Sequence, residues 1–127
     1  MREQTLRFFH ADPEHFDLVF VANATAAIKL ITDSFRDYGT TRRTSRKRKA
    51  KGFWYGYHRD AHSSLVGVRE VTDGHHHCFQ SDAEVEEWIR GTRSGHKMRK
   101  VPKEEQLGLF AYPGQSNMTG RRLPLNW

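Results

Sequence analysis

Three short stretches of this 127-residue chain carry side chains whose types and spacing could do chemistry. The first is Phe20-Val21-Ala22-Asn23-Ala24-Thr25-Ala26-Ala27-Ile28-Lys29-Leu30, where an apolar segment over 17–22 meets a turn of small residues that opens a helix. Such a junction aims unpaired backbone N–H groups and the positive end of a helix dipole at one point, which suits a phosphate. The Thr25 hydroxyl can join the same anion. Junctions of this kind are common and most hold nothing, so the motif counts only in company. The second stretch, Tyr57 to Glu70, sets His58, Asp60 and His62 between a strand end and an amphipathic helix. The third, Phe110 to Arg122, is a buried strand followed by a polar, glycine-punctuated loop with Asn117, Arg121 and Arg122. A flat imidazole covers a π-face, and an amide donates to an oxyanion. Arg121 and Arg122 suit bidentate contact with a carboxylate or phosphate, and suit a solvated surface equally well.

Other clusters carry less. His75-His76-His77-Cys78 invites a metal, but strand alternation sends His75 and His77 to one face and His76 and Cys78 to the other. Two ligands per face fall short of the four that structural zinc takes, and no second cluster at ligand spacing accompanies them. No metal is expected, and a strand end with exposed imidazoles is. Asp60 lies near His58 and His62, yet no G-x-S-x-G elbow exists to make a triad. Glu84, Glu86 and Glu87 read as a solvated helix face with favourable N-terminal charge.

These side chains are positioned by alternating elements. A short helix is expected over 2–11, with Leu6, Phe9 and His10 inward, ended by Asp12-Pro13. A strand follows over 17–22, near-continuously apolar as doubly covered parallel strands are. A helix spans 24–36, with Ala27, Ile28 and Ile31 at helical spacing. Phe53 to Tyr57 is an aromatic strand, and Ser63 to Glu70 a helix capped by Ser63 or Asp60. His76 to Phe79 is a third strand, and Ser81-Asp82-Ala83-Glu84 is a capping box opening a helix to about Arg90. Residues 91–106 read as a linker, and Leu107 to Tyr112 as a fourth strand. Strand and helix in alternation imply an α/β fold, mostly parallel sheet with flanking helices.

Length permits one small domain. Aromatic content of 12% is too high for a fully disordered chain, although the mean hydropathy of −0.81 is low for a compact one. No run approaches the roughly 18 apolar residues of a membrane span and no leader opens the chain, so a soluble, cytoplasmic protein is expected. A single cysteine, Cys78, excludes an internal disulfide and reads as a small buried hydrophobe. The formal charge of +6 is local: the seven positives among Arg42, Arg43, Arg46, Lys47, Arg48, Lys49 and Lys51 leave −1 for everything else. Dense like-charge blocks are usually disordered, and residues 40–52 read as a basic disordered insertion within a domain spanning 1–127. A nuclear-import patch and mis-spliced sequence are the competing readings of that run. It has no interleaved aromatics, so base stacking is not indicated and nucleic acid is disfavoured.

In this order and at these spacings the phrases Ala22-Asn23-Ala24-Thr25, Ala61-His62-Ser63-Ser64-Leu65-Val66-Gly67-Val68-Arg69-Glu70 and Gln115-Ser116-Asn117-Met118-Thr119-Gly120-Arg121-Arg122 resemble the first part of a class V aminotransferase-type domain that binds pyridoxal phosphate (PLP). The resemblance is closest to molybdenum cofactor sulfurases, the fungal kind in particular, with cysteine desulfurases as wider relatives. It covers most of 1–40, 53–90 and 107–127. It implies part of the large domain of a fold-type I PLP-dependent transferase, incomplete in this chain. It assigns Ala24 and Thr25 to the phosphate cradle, His62 to stacking on the pyridine ring, and Asn117 to the ring's phenolic oxygen. Asn23 stands where many relatives have glycine, and asparagine tolerates the left-handed backbone next best.

The resemblance also implies chemistry that this chain does not carry. The family's Schiff-base lysine, the aspartate facing the pyridine nitrogen and the sulfur-accepting cysteine all fall downstream of Trp127. None of Lys29, Lys47, Lys49, Lys51, Lys97, Lys100 or Lys103 matches the lysine position. In the parent enzymes the cofactor stabilises a carbanion on a cysteine substrate, and sulfur passes to an enzyme cysteine. The expectation is a fragment of such an enzyme, inactive alone and binding PLP weakly at best. The family dimerises through this kind of domain, which makes a homodimer one expectation. The alternative is a small basic protein binding nucleic acid or an import receptor through 42–51, and a degenerate product without activity is a third reading.

Overall fold

The computed structural model describes residues 1–41, 52–93 and 107–127. The basic run at 42–51 and residues 94–106 of the expected linker lie outside the described residues.

Helix α1 (Arg2–Phe8) is shorter than the sequence suggests, and its one buried residue is Leu6. His10 adopts a left-handed φ of 53°. Its N–H reaches Arg7 O at 3.1 Å, and Ala11 N–H reaches Leu6 O at 2.9 Å. This paired closure is a Schellman cap, and it stops the helix before Phe9 can turn inward. Phe9 is 70% exposed.

The expected strand over 17–22 does not form. A strand exists by pairing, and among the described residues no strand lies beside this segment. Val19 and Phe20 remain 60% and 64% exposed.

Helix α2 (Ala24–Thr41) runs beyond the expected Arg36. Its packing stripe is Ile28, Thr32 and Phe35, the i, i+4, i+7 spacing of one helical face. Ile28 and Phe35 pack on the sheet, and Thr32 is buried with its hydroxyl on Ile28 O. Ile31, expected on the same face, is 48% exposed.

Three strands build the sheet: β1 (Trp54–His58), β2 (His76–Phe79) and β3 (Gly108–Ala111), in the order β2-β1-β3 and all parallel. Tyr55 pairs with His76 on one side and Leu109 on the other. Between β1 and β2 lie α3 (Ser63–Val66) and a 3-10 turn (Gly67–Val71), and α4 (Asp82–Arg93) joins β2 toward β3. Alternation along the strands sorts two cores. Phe53, Tyr55, Tyr57 and Val68 pack with Ile28 and Phe35 on one face. Trp54, Phe79 and Val85 pack with Trp88, Ile89 and Phe110 on the other. The two crossovers move in opposite directions across the sheet and place their helices on opposite faces, as crossovers of a single hand require. The Tyr55 hydroxyl donates to Leu65 O at 2.9 Å, tying β1 to α3, and burial pushes its phenol up.

The molecule is therefore α/β with a small parallel sheet, as the order of elements implied. No described helix is long and apolar enough to cross a membrane.

Candidate functional site

Ala24 and Thr25, expected to cradle a phosphate, form the start of α2. Asn23 is not left-handed; it caps the helix, its Oδ1 accepting from Ala26 N–H at 2.9 Å. A cap needs an acceptor side chain rather than positive φ, so the expected left-handed residue is not required here. The first-turn N–H groups of Ala24 and Thr25 have no intrahelical acceptor, and no acidic side chain stands in that turn. The donors remain available to an anion.

His62 follows β1 and caps α3, a role expected of Ser63 or Asp60. Its Nδ1 accepts from Ser64 N–H at 3.2 Å, so the neutral ring carries its proton on Nε2. Ser64 Oγ lies 3.1 Å from His62 Nδ1 and 3.0 Å from Thr25 Oγ1. The helix-start threonine and the exposed imidazole, 37 residues apart, thus meet through one serine hydroxyl.

The loop after β3 braces itself. Ser116, buried, accepts at Oγ from the N–H groups of Met118 and Thr119. Ser116 N–H donates to Arg121 O, Gly120 N–H to Ser116 O, and Gln115 Nε2 to Gly120 O. Asn117 sits exposed in this turn. No hydrogen bond joins it to Thr25, Ser64 or His62 among the described residues.

Proteins named molybdenum cofactor sulfurase match this chain from end to end. The identity is 58% over 127 residues with the protein of Neosartorya fischeri and 58% with that of Aspergillus fumigatus. It is 53% with that of Aspergillus niger. In each case all of this chain is covered, the stretch holding the basic run included, and it spans 13% of the relative's length. No family model matches the chain, and no solved structure does.

A second cluster was missed in the sequence. His58 ends β1 and is buried, and its Nδ1 accepts from Asp60 N–H at 3.1 Å. Its Nε2 lies 3.2 Å from Asp82 Oδ1, at ion-pair distance but without hydrogen-bond alignment. Arg121, expected to be free for substrate or solvent, instead makes four bonds. Its Nε and Nη2 donate to Asp60 Oδ2 at 3.0 and 2.8 Å, and its Nη1 and Nη2 to the two oxygens of Asp82 at 2.8 and 3.0 Å. The reason is local supply: two carboxylates at strand ends satisfy its fork within the chain. Together with Arg59, Gln80 and Thr119 these residues line an open cleft of about 520 Å³, which Ala24, Thr25, His62 and Asn117 do not line. The signal available was position, since charged residues just past parallel strands gather at one edge of the sheet.

This cluster sets a pH dependence. Burial lowers the His58 pKa from its usual 6.5, outweighing the neighbouring Asp60 and Asp82 carboxylates. The hydrogen bonds from Arg121 lower the Asp82 pKa from its usual 3.8. Both groups bind protons less readily folded than unfolded, so stability rises with pH across each window. Urea midpoints are expected to be flat from pH 8 to about 6.5, to fall below it as His58 resists charging, and to fall again below pH 4. A His58→Gln variant should lose the first step and keep the second. Midpoints unchanged from pH 8 to 5 in the native chain would refute the assignment.

The histidine run is partnered. His77 Nε2 lies 2.8 Å from Glu84 Oε1, and Cys78 Sγ accepts from Gln80 Nε2 at 3.2 Å. The expected capping box forms with a shift: Ser81 Oγ accepts from Glu84 N–H, while Glu84 returns a carboxylate oxygen to Gln80 N–H rather than to Ser81. Asp12, Glu14 and His15 place ligand atoms within 4.8 Å of one another, but all three are exposed, as solvated acidic groups commonly are.

Proposed function

We propose that this chain is the cofactor-phosphate segment of a PLP-dependent sulfur-transfer enzyme of the molybdenum cofactor sulfurase kind. The observation that carries the reading is the Thr25–Ser64–His62 chain, in which the two groups assigned to phosphate and ring lie side by side. The donor set fits the group: open N–H groups at Ala24 and Thr25 for a phosphate, an uncluttered first turn, and an exposed imidazole for a flat ring.

Each residue then has a task. Ala24 and Thr25 bind phosphate oxygens through backbone N–H. Ser64 Oγ stands 3.1 Å from His62 Nδ1 and 3.0 Å from Thr25 Oγ1, so the direction of its one proton decides whether the threonine hydroxyl offers the anion a donor. His62, held by that cap, covers one face of the pyridine ring and excludes water from it. Asn117 donates its amide to the phenolic oxygen. The bound cofactor supplies an electron sink for chemistry on cysteine. None of this chain's lysines matches the family's lysine position, so the chain alone releases no sulfide or alanine from cysteine beyond the rate of free PLP.

Titrating PLP into the chain, read by quenching of tryptophan emission, tests the reading. Saturable binding is expected, with Thr25→Ala and His62→Ala each weakening it about tenfold. Pyridoxal, lacking the phosphate, should be insensitive to Thr25→Ala. Binding that is absent, or indifferent to both substitutions, would overturn the proposal.

A further inference from the structure

In a doubly wound sheet, ligands settle where neighbouring strands send their connections to opposite faces. In the order β2-β1-β3 the strand order reverses at β1, and the connections leave toward α3 on one face and toward α4 on the other. The guanidinium of Arg121, arriving from the loop after β3, reaches across this edge of the sheet and forms part of the wall of the cleft. Asp60 represents the β1 connection, Asp82 the first turn of α4, and all three loops at the carboxyl edge of the sheet are joined at one planar group. Asp60 precedes His62 by two residues, and Arg121 follows Asn117 by four.

We infer that Arg121 is a positioning residue that fixes the Asn117 loop relative to His62 by clamping Asp60 and Asp82. The inference rests on the PLP reading for the roles of His62 and Asn117, but the clamp itself is a property of the loops. A fork engaged on both edges holds direction as well as distance, which a lysine ammonium cannot do. The Ser116 turn passes that constraint along the loop, since Arg121 O accepts from Ser116 N–H at 2.8 Å. Thr25 stands outside the clamp: its bond runs to Ser64, and no described bond links it to Asp60, Asp82 or Arg121. The phosphate donors of α2 reach the clamp only by way of Ser64 and His62, so loss of the clamp bears first on the ring contacts.

The test compares Arg121→Lys, Arg121→Gln and Asp60→Asn with the native chain, using localised amide hydrogen exchange and binding of PLP and of inorganic phosphate. Exchange at 60–62 and 115–121 should rise about tenfold in Arg121→Gln and nearly as much in Arg121→Lys, with 54–57 unchanged. PLP affinity should fall about tenfold in both, while phosphate affinity stays within twofold, a split that general destabilisation would not produce. Unchanged loop exchange in the lysine variant, which keeps the charge and is the conservative check on folding, overturns the clamp. Raised exchange with unchanged PLP affinity overturns its positioning role. Raised exchange in a chain whose native form binds no PLP sinks the cofactor reading while upholding the coupling of the loops.

Discussion

Phe79→Ala is expected to leave the chain largely unfolded at moderate temperature. Phe79 is 2% exposed, and its ring meets those of His77, Trp88, Phe110 and Trp54 at centroid distances of 4.6, 5.2, 5.4 and 6.5 Å. It is the residue through which β2 reaches both α4 and the far edge strand β3. Truncating such a phenylalanine costs about 3–5 kcal/mol, transfer and cavity terms together. A domain of this size has about 5–15 kcal/mol in all, and a small sheet with open edges sits toward the lower end. Thermal melting by circular dichroism should show a midpoint lowered by about 10–20 °C. Phe79→Leu, which keeps most of the volume, should recover more than half of the loss. A midpoint for the alanine variant within about 2 °C of the native one would mean that this face is not a packed core.

What the sequence made legible is what depends on near neighbours. The aromatic strand expected over Phe53 to Tyr57 falls on Trp54–His58, and β2 falls on His76–Phe79 as expected. The Ser81 cap is equally local, since a hydroxyl and an N–H three residues on need no third party. The segment over 17–22 is the converse. Its side chains read as a buried parallel strand, but burial and pairing come from elements distant in sequence, and among the described residues no strand pairs with it. Composition states the requirement of a strand without supplying its partner.

The site divides along the same line. Thr25 and His62 were singled out separately, and their meeting through Ser64 is a tertiary fact that no spacing announces. Asn23 and His62 each cap a helix, a contact the sequence reading gave to neither, because capping depends on one acceptor atom that several residue types can offer. The particular carboxylates that Arg121 meets could not be read from the sequence, because they lie 61 and 39 residues away. A search for charged residues just past each parallel strand would have found His58, Asp60 and Asp82 together.

Gly56 carries the other large effect, and its sign is the instructive part. Removing glycine from a strand normally stabilises by about 0.4–1 kcal/mol, because the unfolded chain loses freedom. At Gly56, however, an added Cβ would stand 2.9 Å from Trp54 Cζ3 and 3.0 Å from Phe79 Cε2, and closer still to Trp54 Cη2. Real Cβ atoms do not tolerate that, so a ring must move. Trp54 is the ring that crosses Gly56, and it is itself held by stacking on Trp88 at 5.5 Å and by the edge of Phe79. Overpacking of this kind costs about 1–3 kcal/mol, which exceeds the entropic gain. Gly56→Ala should therefore lower the urea midpoint clearly, with an unchanged slope. The cause can be separated from strand propensity by a double-mutant cycle with Trp54→Leu. In that background the indole is gone, and Gly56→Ala should turn neutral or stabilising. Equal losses in the two backgrounds would place the strain in the backbone and not against the tryptophan. Gly56 thus leaves the room in which the Trp54 indole crosses the central strand and stacks on Trp88.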